Sequence, residues 1–109
     1  MPNNLDLTFK TLADPTRRAV LARLTNGSAP VKDLAAPFDM ALPSFMQHVR
    51  MLEEAGLVTT QKQGRTRMCS LQPEALADVE NWLSSQRRAW NARFDRLEAF
   101  LDEENPNDP

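Results

Sequence analysis

Apolar and polar positions along the chain fall into five helical stretches and one pair of strands. Leu5, Phe9 and Leu12 recur at i, i+4 and i+7, which predicts a short first helix. Asp14-Pro15 ends it and opens a second, over 15–25, because Asp is a good N-cap and Pro suits the first helical position. That helix turns Val20, Leu21 and Leu24 inward and stops at Asn26-Gly27. A third, over 31–37, has Val31 and Leu34 inward, Lys32 outward, and Pro37 as its breaker. After a turn at 38–41, a fourth is predicted over 43–55. There Phe45, Val49 and Leu52 share one face, and Pro43, Gln47, Arg50 and Glu54 lie about 180° away. Gly56 then stands where a left-handed C-cap is wanted, with Leu57 as the apolar contact after it.

Beyond Leu57 the period changes from helical to alternating. Residues 58–62 and 66–71 are β-prone runs around Gln63-Gly64-Arg65, a hairpin signal. Alternation puts Cys69 and Leu71 on one face, Met68 and Ser70 on the other. A short helix, a second helix with a polar outer face and a basic hairpin together indicate a winged helix-turn-helix, a nucleic-acid reader. The fold class expected is mostly α (α+β), with a two-stranded wing.

The last pattern is a helix over 73–101 without an internal breaker. Pro73 sits at its start, and Glu74 lies in the first turn, where the helix dipole favours an acid. Leu76, Val79, Leu83, Trp90, Leu97 and Phe100 follow a 3-4 spacing, with Phe94 and Leu101 beside the seam. Such a helix spans roughly 40 Å, more than a domain of this size can cover. Left bare, the stripe would be sticky, so a second copy of the chain is the expected cover.

Composition changes this picture in two places. The formal charge of the 109 residues is −2, which looks wrong for a DNA binder. Four of the 15 acids, however, lie in 102–109, a segment with no base and two prolines that is expected to be a disordered tail after a single domain at 1–101. Without it, 13 bases stand against 11 acids, and Arg50, Lys62, Arg65 and Arg67 concentrate positive charge on the reader. The single cysteine makes no internal disulfide, and neither a signal peptide nor an apolar run of membrane length is seen. A cytoplasmic protein without a membrane partner is expected. No nucleophile–base pair, phosphate loop or ligand cluster is present. No catalytic residue, cofactor or metal ligand is therefore assigned, and an enzyme is not expected.

The run FKTLADPTRRAVLARL, then DLAAPFDM, then LPSFMQHVRMLEEAGLV, then the Gly64-Arg65 wing resembles the ArsR/SmtB family of bacterial winged-helix repressors. The likeness extends from Phe9 to about Leu101 and is nearest to the subgroup without metal ligands. It implies a homodimer joined through its first and last helices, placing Leu5, Phe9, Leu12, Leu83, Trp90, Phe94, Leu97 and Leu101 at the interface. It also implies two recognition helices in successive major grooves of a pseudo-palindromic operator, and repression, commonly of the repressor's own operon. The family's metal sensors carry Cys-x-Cys in the third helix, where this chain has Leu34-Ala35-Ala36-Pro37, and others place Asp and His on the last helix, which here has no histidine. Many relatives have Ser at the position of Ala41, so a side-chain N-cap is missing unless Asp39 supplies it.

The DNA-contacting residues expected are Pro43, Ser44, Gln47, His48 and Arg50 on the recognition helix and Lys62, Arg65 and Thr66 on the wing. Gln47 can pair with adenine, and Ser44 stands near the helix start, where base edges are reached. Arg50, one turn later, fits a phosphate better. His48, the one histidine, lies about 60° from the core face. Packing at the core edge and contact with a phosphate both remain open for it. Arg67 shares a face with Cys69 and is expected to lay its stem over the core edge. Cys69 reads as a small core residue rather than a redox sensor. The rival from another class is a winged-helix protein-interaction module without DNA binding, which the low overall charge favours and the basic wing opposes.

Overall fold

The computed structural model describes residues 5–104, which fall into two compact units divided between Asp78 and Val79. The first holds α1 (Leu5–Leu12), α2 (Pro15–Leu24), β1 (Ala29–Pro30), α3 (Val31–Ala35), α4 (Leu42–Glu54), β2 (Val58–Gln63), β3 (Thr66–Leu71) and the start of α5 (Glu74–Glu104). The second is the remainder of α5. No composition shift marks the boundary, which lies inside a helix.

Local chemistry sets most element ends. Asp14 caps α2, its Oδ1 accepting the N–H of Thr16 at 2.8 Å and of Arg17 at 3.2 Å, with Pro15 at the first helical position. The C-terminus of α4 closes in a Schellman motif. Leu57 N–H bonds back to Leu52 O at 3.0 Å, and Gly56 N–H to Glu53 O at 2.9 Å. Gly56 adopts φ +76°, a left-handed backbone that costs a side-chain-bearing residue about 1–2 kcal/mol. At the other end Ala41 is the N-cap of α4 and no side chain caps it, so Asp39 does not substitute.

The core of the first unit forms where the α4 face expected from its periodicity meets the other elements. Phe45, Val49, Leu52, Leu57 and Cys69 are each fully buried, among Val20, Leu24, Val31 and Leu34. Phe38 stacks on Phe45 with ring centroids 5.7 Å apart. Each completely buried aliphatic or aromatic side chain contributes roughly 1.5–3 kcal/mol.

Three features of the fold are not carried by the sequence pattern. The two-stranded wing, β2 against β3, is as expected, and a third strand that the pattern does not show joins it in the antiparallel order β1-β3-β2. Ala29 pairs with Cys69, and the Ser28 and Ser70 hydroxyls lie 2.7 Å apart. A two-residue strand ending in proline carries no alternation to detect, and proline is tolerated there because β1 is an edge. In α1 the buried residues are Thr8 and Thr11, while Phe9 is exposed and Leu12 packs on its own core. The Thr11 hydroxyl is satisfied by donating to Leu7 O at 2.8 Å, which makes a polar residue tolerable at full burial. Finally, α5 continues through Asp102–Glu104, three residues past the expected end. Acids are unfavourable in a last turn by only tenths of a kcal/mol each, and nothing breaks the helix before Pro106 in sequence. The rest of the expected acidic tail, 105–109, lies outside the described residues, as does 1–4.

Candidate nucleic-acid interface

The surface of α4 divides as its helical period requires. Phe45, Val49 and Leu52 point into the core, and Pro43, Ser44, Gln47 and Arg50 are exposed. α3 and a six-residue turn precede it, and Gly56 turns the chain from its C-terminus straight into β2. The hairpin registers Lys62 opposite Arg67 and Gln63 opposite Thr66, leaving Gly64-Arg65 as a two-residue tip. Gly64 has φ +65° and Arg65 a negative φ, the pattern of a type II′ turn, whose twist matches that of the strands. Lys62, Arg65 and Thr66 are all exposed.

The wing and α4 are joined by side chains. Arg67 Nη1 donates to the Thr60 hydroxyl at 2.9 Å, and that hydroxyl donates to Glu53 Oε2 at 2.9 Å. Arg67 is therefore exposed and tied to strand β2, not laid over the core edge as its alternation indicated. The relay also sets a positive charge near Glu53, one of the two acids on α4. A groove of about 500 Å³ runs between the start of α3, the start of α4 and the wing, bordered by Lys32, Asp33, Leu42, Met46, Arg65 and Arg67. It brings Arg65 and Thr66 beside the first turn of α4, but Ser44, Gln47, Arg50 and Lys62 do not line it. Leu42 at its edge is 55% exposed, an apolar residue at the N-terminus of α4 that periodicity alone leaves unassigned.

His48 is half-buried, and its partners come from α2. Nδ1 lies 3.1 Å from Arg17 Nη1 and 4.0 Å from Asp14 Oδ1. The Arg17 guanidinium also donates to Met51 Sδ at 3.3 Å, and to Thr11 O and Lys10 O at the end of α1 at 2.7 and 3.2 Å. Sequence reasoning missed Arg17, and 31 residues separate it from its imidazole partner. Desolvation works to raise the Asp14 carboxyl. The N–H of Arg17, the electrostatic effect of His48, the N–H of Thr16 and the Arg17 guanidinium outweigh it and hold the carboxyl below its usual range. Cys69 is fully buried, and desolvation, with a smaller contribution from the Glu53 charge, pushes its thiol up to about 11. A thiol so placed stays protonated at neutral pH and is a core residue.

In the second unit Leu83, Trp90, Phe94, Leu97, Phe100 and Leu101 are about half exposed, and Trp90 meets Phe94 edge-on at 5.0 Å. Among the described residues no helix is long and apolar enough to cross a membrane, and no three His, Cys, Asp or Glu side chains come together as a metal site would require.

A helix, a turn, a second helix with a polar outer face and a basic hairpin packed behind it define a winged helix-turn-helix, the class of protein that reads duplex DNA. Comparison with known proteins narrows the class. Residues 12–61 match the family model described as a helix-turn-helix domain. The chain is 33% identical over 75 residues to the transcriptional repressor SdpR of Bacillus subtilis, covering 69% of this chain and 83% of that one. It is 32% identical over 99 residues to the HTH-type transcriptional regulator Rv2034 of Mycobacterium tuberculosis, covering 91% and 90%. Its fold superimposes on the crystal structure of an ArsR family transcriptional regulator with a TM-score of 0.79 and 53% identity, over 84% of this chain and 94% of that one. The chain belongs to the ArsR/SmtB family of DNA-binding transcription regulators, which are not enzymes.

Proposed function

We propose that the chain is a homodimeric repressor that binds a pseudo-palindromic operator and does so without a metal. The observation that carries this reading is the outward row Ser44, Gln47 and Arg50 on a helix whose opposite face is wholly buried, with the basic wing tip Arg65 beside its first turn. Gln47 and Ser44 read base edges, Arg50 and Arg65 grip phosphates, and Lys62 and Thr66 assist at the wing. The apolar stripe of Leu83, Trp90, Phe94, Leu97 and Leu101 pairs with a second copy, to which Leu5 and Phe9 of α1 also contribute. Two readers then reach half-sites one helical turn apart, roughly 34–36 Å between centres. Covering a promoter in this way represses it, and the repressor acts in the cytoplasm, where its DNA lies. Metal independence is supported by the burial of Cys69, the engagement of His48 with Arg17 and the absence of a ligand cluster among the described residues.

Selection of bound sequences from a random DNA pool, in EDTA, tests the reading. Enrichment of an inverted repeat with half-sites a helical turn apart is expected. Failure to enrich any sequence, or enrichment only once zinc or another transition metal is restored, would overturn it.

A further inference from the structure

The guanidinium of Arg17 joins three helices of the first unit. It takes two carbonyls from the end of α1, which have no partner inside that helix, and reaches across to His48 and Met51 on α4. A guanidinium has only donors. At 3.1 Å, Nδ1 of His48 must therefore present its lone pair to Arg17 Nη1. Asp14 Oδ1, 4.0 Å from the same nitrogen, is already accepting two backbone N–H groups as the cap of α2. A neutral imidazole with Nδ1 unprotonated carries its proton on Nε2. Nε2 has no partner among the described residues, and no buried side-chain nitrogen or oxygen there lacks one, so Nε2–H reaches solvent.

We infer that Arg17 is a positioning residue of the reader, locking His48 in its Nε2–H tautomer so that His48 donates a neutral hydrogen bond to a DNA phosphate. This rests on the DNA-binding reading and resolves the two roles left open for His48: the ring is packed through one nitrogen and presents the other. His48 lies on the edge of α4 between its core face and the outer row of Gln47 and Arg50, where a duplex offers phosphate oxygens that only accept. The lock needs Arg17 rather than a carboxylate or carbonyl partner, because either of those would put the proton on Nδ1 and leave Nε2 an acceptor facing phosphate.

The test has two arms. In the DNA-free protein, long-range ¹H–¹⁵N spectra of the single histidine are expected to show the Nε2–H tautomer at neutral pH in wild type and a tautomer mixture in Arg17→Gln. In the DNA arm, His48→Ala is expected to weaken operator binding by about threefold to tenfold per reader with the salt slope unchanged, since a neutral donor releases no counterion. His48→Gln, whose amide nitrogen falls near the Nε2 position, retains affinity within about twofold. Arg17→Gln weakens binding in the wild-type background and not in the His48→Gln background, a dependence that loss of fold stability would not produce. Urea midpoints of all the variants are taken alongside. An Nδ1–H tautomer in wild type, a salt slope reduced by about one unit in His48→Ala, or an Arg17→Gln effect of equal size in both backgrounds would each overturn the inference while leaving DNA binding intact. Absence of operator binding by wild type would overturn the functional reading as well.

Discussion

Replacing Gly56 by alanine isolates one backbone conformation at the junction of reader and wing. Gly56 holds φ +76°, and a Cβ built on it meets only Ala75 Cβ at 3.9 Å, an ordinary contact. The substitution therefore creates no clash, and its cost is conformational. A left-handed backbone costs an L-residue about 1–2 kcal/mol, and the alanine cannot relax to a right-handed one without breaking the Leu57 N–H to Leu52 O bond and lifting the fully buried Leu57 from the core. The stiffer unfolded chain of the alanine variant returns about 0.4–1 kcal/mol at unstrained sites, so a net loss of about 1 kcal/mol is expected. Urea unfolding followed by circular dichroism should show a lower midpoint with the slope unchanged. Gly64→Ala is the internal comparison. Its φ is +65° with nothing within 4 Å of the new Cβ, so it too creates no clash, but the first position of a type II′ turn lies outside the left-handed helical region and its cost should be the larger of the two. Gly56→Asn, which tolerates the left-handed region better, should recover part of the loss. A neutral or stabilising Gly56→Ala would refute the claim that this conformation sets the turn from α4 into the wing.

Arg65→Ala should weaken binding to all DNA sequences and flatten the salt dependence by about one unit for each phosphate the arginine no longer neutralises, whereas Gln47→Ala should relax preference at one position per half-site by roughly 1–3 kcal/mol; indistinguishable behaviour across operator variants would contradict the division of roles. Leu97→Asp places a charge in the apolar stripe of α5 and should convert a dimer to a monomer in sedimentation; a wild type that is already a folded monomer at micromolar concentration would count against the dimer. Cys69 tests a pH dependence. Its folded thiol titrates near 11 and a free one near 8.5, so the unfolded chain loses its proton first and stability falls as pH rises through that window, by about 3 kcal/mol in all. Cys69→Val should remove that component of the alkaline loss, measured as urea midpoints from pH 7 to 11, and native wild type should resist thiol reagents at pH 8; an equal alkaline loss in both proteins would show that other groups carry it.

What the sequence determined is what neighbours in the chain decide among themselves. The period of Phe45, Val49 and Leu52 placed the buried face of α4, and with it the exposure of Ser44, Gln47 and Arg50, because a helix repeats every 3.6 residues whatever surrounds it. Asp14-Pro15 and Gly56-Leu57 fixed helix ends through bonds that reach at most five residues. The Gly64-Arg65 turn followed from the one residue type that accepts its first dihedral angle. Tertiary structure decided the rest. Burial of Thr8 and Thr11 depends on which side of α1 meets the core, and a helix with apolar residues on two sides does not announce that. Strand β1 exists only because β3, far along the chain, offers it an unpaired edge, Cys69 against Ala29. The Arg67–Thr60–Glu53 relay and the grip of Arg17 on His48 join groups that chain folding, not spacing, brings within 3 Å or so. Long flexible side chains carry no period, so their partners are settled only when the elements bearing them have packed.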